Sequence, residues 1–261
     1  MNNPSPSVGE LLRGWRQRRR LSQLALAVDA EVSQRHLSFV ESGRSQPSRE
    51  MLLRLAERLS VPVRERNAML VAAGFAPLYR ERPLGAPELA SARDAVERIL
   101  QGHAPHPALA VDRHWNLLAA NRSVYALLGA LGAPPPSGPV NVLRLTLHPE
   151  GLAGRVLNLA EWREHLLVRL AHDVERSADP VLAALLEELK SYPAPPRPPA
   201  APAADGRIAV PFRLAGPDGP LSFISATTVF GTAVDVTLAE LTIEAFFPAD
   251  ADTAATMARL A

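Results

Sequence analysis

Cysteine is missing from all 261 residues. Disulfides, thiolate metal sites and a cysteine nucleophile are thereby excluded, and a reducing intracellular compartment fits. No apolar run approaches the roughly 20 residues that a spanning helix needs, and the opening MNNPSPSVGELL has no signal-peptide core. A soluble, cytoplasmic protein without membrane contact is the expectation. Also absent are the phosphate-binding G-x-x-x-x-G-K, the zinc-protease H-E-x-x-H and the nucleophile elbow G-x-S-x-G. His165 and His172 stand seven apart on one expected helix with no third ligand at metal spacing, and His103 and His106 flank a loop proline. No catalytic residue, metal site or obligatory cofactor is therefore expected, and the chain does not read as an enzyme.

Lysine is almost absent as well, Lys190 being the only one, so the position of the arginines is more informative than their number. Through residue 82 there are 14 Arg against 8 acids, a net +6, and the rest of the chain carries −5. Only the first third is expected to face a polyanion. A small helical domain needs only about 60 to 80 residues, so a second domain of comparable or larger size is expected.

Ser7 caps a first helix with Glu10 in capping-box position, and that helix ends in Arg16, Arg18, Arg19 and Arg20. Two readings of this arginine cluster stand: cations complementing the helix dipole, or phosphate contacts, with Arg16 and Arg19 as candidates. Ser22 caps a helix from Gln23 to about Ala30, and Ser33 caps another from Gln34 to Ser42, which Gly43 ends. Leu26, Ala27, Ala30, Val32, Leu37 and Val40 supply a shared buried face, leaving Gln34, Arg35 and Ser38 outward. Ser48 then caps Arg49 to Ser60, and Arg64 to Ala73 makes a fifth helix.

The stretch from Leu21 to Arg44, with helices on both sides, resembles the helix-turn-helix domain of the phage-repressor-like XRE family. The resemblance implies that Gln34 and Arg35 reach base edges from the start of the recognition helix. It implies backbone contacts by Gln23, Arg44 and Ser45, with Ser33 and Ser38 on the same surface. One departure is Glu31, standing where the family has a turn glycine. A left-handed conformation there costs a non-glycine residue on the order of 1 kcal/mol. Because one recognition helix covers few base pairs, a homodimer on double-stranded DNA is expected, its second helix about 34 Å along the duplex.

Residues 1–76 therefore form the expected DNA-binding domain and 77–87, with Pro77, Pro83, Gly85 and Pro87, a connector. Phe75, Leu78 and Tyr79 are candidates to pack that connector against the second domain. The second domain, 88–261, opens with a helix to about Gln101, then a hairpin of Ala108 to Val111 and Leu117 to Ala120. Helices are expected over Arg122 to Leu131, Leu159 to about Ser177 and Pro180 to about Ser191, with a loop at Pro134 to Pro139 and an ambiguous Val140 to Leu147. Tyr192 to Asp205 is proline-rich and reads as an extended or flexible loop. Beyond it the hydrophobic period falls to two: Ile208, Val210, Phe212 and Leu214, with Pro211 marking an edge strand, then Leu221 to Phe230 ended by Gly231, then Leu241, Ile243, Ala245 and Phe247. A helix from about Asp252 closes the chain. The fold class is an all-α five-helix domain followed by an α+β, PAS-like domain, a five-stranded antiparallel sheet with helices on one face.

DRHWNLLAAN (Asp112 to Asn121), Trp162 and FGTAVDVTLAELTIEAFFPAD (Phe230 to Asp250) resemble regulators with a MmyB-like ligand-binding domain. The resemblance implies a PAS-like pocket for a small apolar ligand, a fatty acid or similar apolar acid. Candidate lining residues are Trp115, Leu117, Trp162, Leu166, Leu170, Phe212, Phe223 and Phe246, each also an ordinary core candidate. For a carboxylate head the candidates are His114, Asn121, Arg122, His165 and Arg169, with Asn121 better suited to brace a strand-to-helix turn. A dimerisation or protein-interaction platform without ligand is the alternative reading of this domain.

Overall fold

The computed structural model describes residues 6–133, 138–193, 210–230 and 235–260. Most of the expected loops at 134–139 and 192–205 lie outside these residues, as do Ile208 and Gly231. The chain divides into two compact units, one running to Glu81 and taking in Asp235 and Val236, the other holding the remaining described residues.

Five helices make up the first unit: α1 (Val8–Arg18), α2 (Gln23–Asp29), α3 (Gln34–Glu41), α4 (Arg49–Arg58) and α5 (Val63–Ala72). Ser7 and Glu10 form the capping box expected of them, and Ser22, Ser33 and Ser48 each accept a backbone N–H three residues on. The apolar stripes meet in a core in which Leu12, Leu26, Leu37, Leu55 and Leu70 are fully buried. α1 lies so close to α3 that a Cβ on Gly9 would fall 2.5 Å from the Val40 carbonyl oxygen. Only glycine admits this approach. The chain after α5 is fastened to it: Asn67 donates to the Tyr79 carbonyl at 2.6 Å and accepts from the Leu78 and Tyr79 N–H groups at 3.0 Å.

The second unit opens with α6 (Ala90–Gly102), the hairpin β1 (Ala108–Val111) and β2 (Leu117–Ala120), and α7 (Arg122–Ala130). The ambiguous stretch near residue 142 is a short helix, α8 (Val142–Leu147), capped by Asn141. Then come α9 (Leu159–Ser177), α10 (Pro180–Ser191), β3 (Phe212–Gly216), β4 (Gly219–Val229), α11 (Val236–Ala239), β5 (Thr242–Pro248) and α12 (Ala251–Leu260). The strands form one antiparallel five-stranded sheet in the order β2-β1-β5-β4-β3. β3 lies at an edge, as Pro211 suggests, and its outer side is covered by the Leu157 N–H donating to the Arg213 carbonyl at 2.8 Å. At the β3–β4 turn a Cβ on Gly216 would come within 2.8 Å of the Gly219 carbonyl oxygen, so this hairpin needs glycine.

Both sheet faces are covered, where the sequence pattern predicts helices on one. Ala108, Ala110, Leu241 and Ile243 pack with Val96 and Leu100 of α6. The opposite face, with Phe212, Leu214 and Phe223, packs against α7, α8, α9 and α10. Strand β5 is therefore buried on both sides. Its Leu241–Ile243–Ala245 alternation marks the α6 face, while Glu244 and Phe246 point the other way, into the space between the sheet and α9.

Candidate DNA-reading surface and ligand cavity

Helix α3 starts at a solvent-facing edge. Gln34 and Arg35 are exposed beside the Ser33 cap, and Arg35 and Arg44 both lie over the Phe39 ring, at 5.4 and 6.0 Å. Ser38 and Ser45 are half-buried on the same segment. This places the guanidinium groups of Arg35 and Arg44 beside Phe39 and leaves the Gln34 amide exposed at the start of the helix, donors of the kind that suit phosphates and base edges.

Behind that surface sits Glu41, a carboxylate only 3% exposed. Arg16 pairs with it through two bonds of 2.7 and 2.8 Å, and Gln23 donates to it at 2.8 Å. Arg13 approaches to 3.7 Å and also donates to the Glu41 carbonyl. Burial pushes the Glu41 carboxyl up, but these donors outweigh it and hold the group below the ordinary carboxylate range. Arg16 and Gln23 are thus committed to joining α1, α2 and α3. Arg19 likewise donates to the Leu59 and Ser60 carbonyls where α4 ends, and stacks on Trp15. Gln34 and Arg35 of α3, Arg44 in the loop after it, and Arg18 and Arg20 at the end of α1 are exposed.

In the second unit the helices and the sheet enclose an apolar cavity of about 80 Å³. α7 contributes Val124, Leu127 and Leu128, α8 contributes Val142, Leu145 and Thr146, and the sheet contributes Leu109, Leu117, Phe212, Leu214, Phe223 and Phe246. Next to it lies a second cavity of about 60 Å³ that shares Leu109, Val142, Thr146, Phe212 and Phe246. Its character differs, because Arg169, Glu244, Ser225, Trp115 and Trp162 are among its walls. One cavity suits a hydrocarbon and the other a polar group.

The polar cavity is organised by α9. Arg169 lies 4.6 Å over the Trp115 ring and donates to both oxygens of Glu244, at 2.5 and 3.3 Å. Glu244 is 4% exposed and also accepts from the Thr227 hydroxyl at 3.1 Å. Trp162 stacks on Phe212 and His165, and its indole N–H, fully buried, has no hydrogen-bond partner among the described residues. Burial, reinforced by Arg169, pushes the His165 imidazole down and favours its neutral form. Burial also pushes the Asp173 carboxyl up, against the pull of Arg169 and Arg176. Trp115 holds φ at 67°, a conformation a bulky residue adopts only when its surroundings impose it. Asp112 supplies that constraint, accepting the N–H groups of His114 and Asn116 across the turn.

Among the expected ligand residues, Trp115, Trp162, Leu166, Arg169 and Phe212 meet at the polar cavity, and Leu117, Phe212, Phe223 and Phe246 line the apolar one. Leu170 is fully buried in the same core. Others are engaged elsewhere. His114 bonds Asp179, the cap of α10, at 2.9 Å, and Arg113 joins the same carboxylate. Asn121 is fully buried, caps α7, accepts from Ala108 N–H and donates to the Leu100 and His106 carbonyls. It braces the turn. Arg122 is exposed, and His165, which is not among the lining residues of the polar cavity, stacks on Trp162 in its wall. Sequence reasoning did not name Glu244, Thr227, Ser225 or the α8 wall. Glu244 had one available signal, an acid inside an otherwise apolar central strand, LTIEAFF.

No helix among the described residues is long and apolar enough to cross a membrane, and they contain no cluster of potential metal ligands. Residues 7–69 match a helix-turn-helix domain family. Residues 92–260 match the family described as the MmyB-like transcription regulator ligand binding domain. No curated protein matches the chain. The second match covers more than half of the chain and contains both cavities, while the first contains α3 and its exposed donors: the protein is a DNA-binding transcription regulator and belongs to the MmyB-like family.

Proposed function

We propose that the protein binds double-stranded DNA as a homodimer and that its PAS-like domain, residues 88–261, takes a small apolar acid of the fatty-acid type. Occupancy changes the spacing of the two recognition helices, so DNA affinity changes by the difference in ligand affinity between the two arrangements. In the DNA-binding domain, residues 1–76, Gln34 and Arg35 read base edges, while Ser33, Ser38, Arg44 and Ser45 hold the backbone. The observation that carries the ligand reading is the paired cavity: an apolar chamber beside a polar one walled by Arg169 and by Trp162, whose buried N–H lacks a partner among the described residues. A buried donor without a partner is costly, and a ligand oxygen removes that cost.

The test is mass spectrometry of extracted, purified protein together with thermal shift against straight-chain acids from octanoic to hexadecanoic. A co-purifying lipid or a chain-length optimum is expected, and Val142→Phe, which fills space shared by both cavities, should abolish it. No lipid and no shift across the panel would favour the alternative, a platform for dimerisation without a ligand. On the DNA side, Arg35→Ala should relax preference at one base position, by about 1–3 kcal/mol of discrimination. Arg44→Ala should weaken all sequences alike and reduce the salt slope by about one.

A further inference from the structure

The ion pair in the polar cavity bears on how an acid is received there. Arg169 has one ring face of Trp115 beneath it and spends both terminal nitrogens on Glu244. The arginine that best suits a carboxylate head is already occupied by a carboxylate of the protein. A second anion beside Glu244 would place two like charges against one guanidinium at a buried position, which is unfavourable unless one of them moves away or takes up a proton. Glu244 has somewhere to turn, because the Thr227 hydroxyl already donates to one of its oxygens. Trp162 walls the same cavity, and its buried N–H has no partner among the described residues, so a small turn of the ring would offer it to an incoming oxygen.

Resting on the reading that this domain binds an apolar acid, we infer that Glu244 is a resident competitor for the ligand's head group. A bound acid displaces it from Arg169, sets one oxygen on the guanidinium and the other on Trp162 Nε1, and leaves Glu244 with Thr227. Glu244 is then the residue that sets the preference between charged and neutral head groups. It also lies on β5, which is paired to both β1 and β4, so the exchange is felt at the middle of the sheet.

The experiment is calorimetric titration of the full-length protein and of Glu244→Gln with decanoate and with decanol. The amide keeps the shape and an acceptor for Thr227 while removing the competing charge. Decanoate should bind the variant tighter by on the order of tenfold, and decanol, which needs no exchange, should bind both proteins alike. A decanoate affinity that is unchanged or weaker in Glu244→Gln, or a gain shared equally by decanol, overturns the inference while leaving acid binding intact. If neither ligand binds either protein, the ligand reading itself falls and this inference with it. Should Glu244→Gln not fold, arginine side-chain 15N resonances of the unaltered protein answer the same question. Decanoate should shift the Arg169 guanidinium signal and decanol should not, and an Arg169 signal indifferent to decanoate overturns the exchange.

Discussion

Glu41 and Glu244 are the same chemical device in two units. Each is a glutamate at most 4% exposed, held by two bonds from one arginine and one from an uncharged side chain. They differ in what surrounds them. Glu41 gathers Arg13 and Arg16 from α1 and Gln23 from α2, beneath a helix contact so tight that it requires Gly9. Glu244 stands in the wall of a cavity. An enclosed ion pair fixes the geometry of its elements, whereas one that borders open space can exchange partners. The first fixes α3 against α1 and α2, and the second lines the cavity in which we propose the ligand binds.

The largest expected effect breaks this comparison if it fails. Glu41→Ala strands Arg16 in the helix interface and should cost the first unit about 3–5 kcal/mol. Glu244→Ala should cost the second unit less, about 1–2 kcal/mol, because water entering the cavity can solvate Arg169. Amide hydrogen exchange read separately over α1–α3 and over β4–β5 checks both. Equal losses would mean that the cavity does not relieve the arginine, and the distinction drawn between the two pairs would go.

Acid sharpens the comparison further, with a smaller effect. The Glu41 carboxyl is depressed in the folded protein, so its stabilisation is complete above the ordinary carboxylate range and is lost as pH falls through the folded value. Protection of α1–α3 should drop on acidification, and Glu41→Gln, less stable at neutral pH, should show a flatter acid limb. Asp173 has the opposite sign: its carboxyl is raised by burial, so its charged form opposes folding near neutrality and ceases to do so once protonated. Asp173→Asn should therefore stabilise the second unit at neutral pH and make no difference in acid. Thermal melts across the pH range distinguish the two behaviours.

Much of this architecture was legible because it is written locally. Ser7, Ser22, Ser33 and Ser48 announce the starts of four helices, and period-two runs announce the strands. What sequence could not reveal depends on tertiary partners. Arg16 and Gln23 carry the same donors whether they face phosphate or a buried glutamate, and only packing brings Glu41 to them. Residues 241–247 satisfy an alternating pattern on one face and so hide that the other face is buried as well. His114 looks like a head-group ligand by type, but its imidazole bonds Asp179, the cap of α10, whereas Asn121 braces the strand-to-helix turn as its local bonding habit suggests. Family resemblance implies a pocket in the sheet domain, but the polar cavity is set by Arg169 of α9 reaching Glu244 of β5, 75 residues apart in sequence, a pairing with no local sign.

The smallest effect concerns two strained turns. Glu31, between α2 and α3, has φ of 54°, and Trp115, between β1 and β2, has φ of 67°. Both are conformations that glycine adopts without steric cost. Glu31 is exposed, so its side chain contributes little to offset the strain. Trp115 is 7% exposed, supports Arg169 and walls the polar cavity. Relief of strain and loss of contacts therefore trade off in opposite directions at the two sites. Glu31→Gly should raise the first unit's stability by about 0.5–1 kcal/mol, a melting shift of a few degrees, with recognition by α3 retained. Trp115→Gly should lower the second unit's stability despite relieving the same backbone strain, because burying the indole contributes more than the turn costs. Differential scanning calorimetry of the two variants tests this directly: destabilisation by Glu31→Gly would show that the turn is held by something other than its backbone, and an unaltered melt for Trp115→Gly would remove Trp115 from the wall of the site.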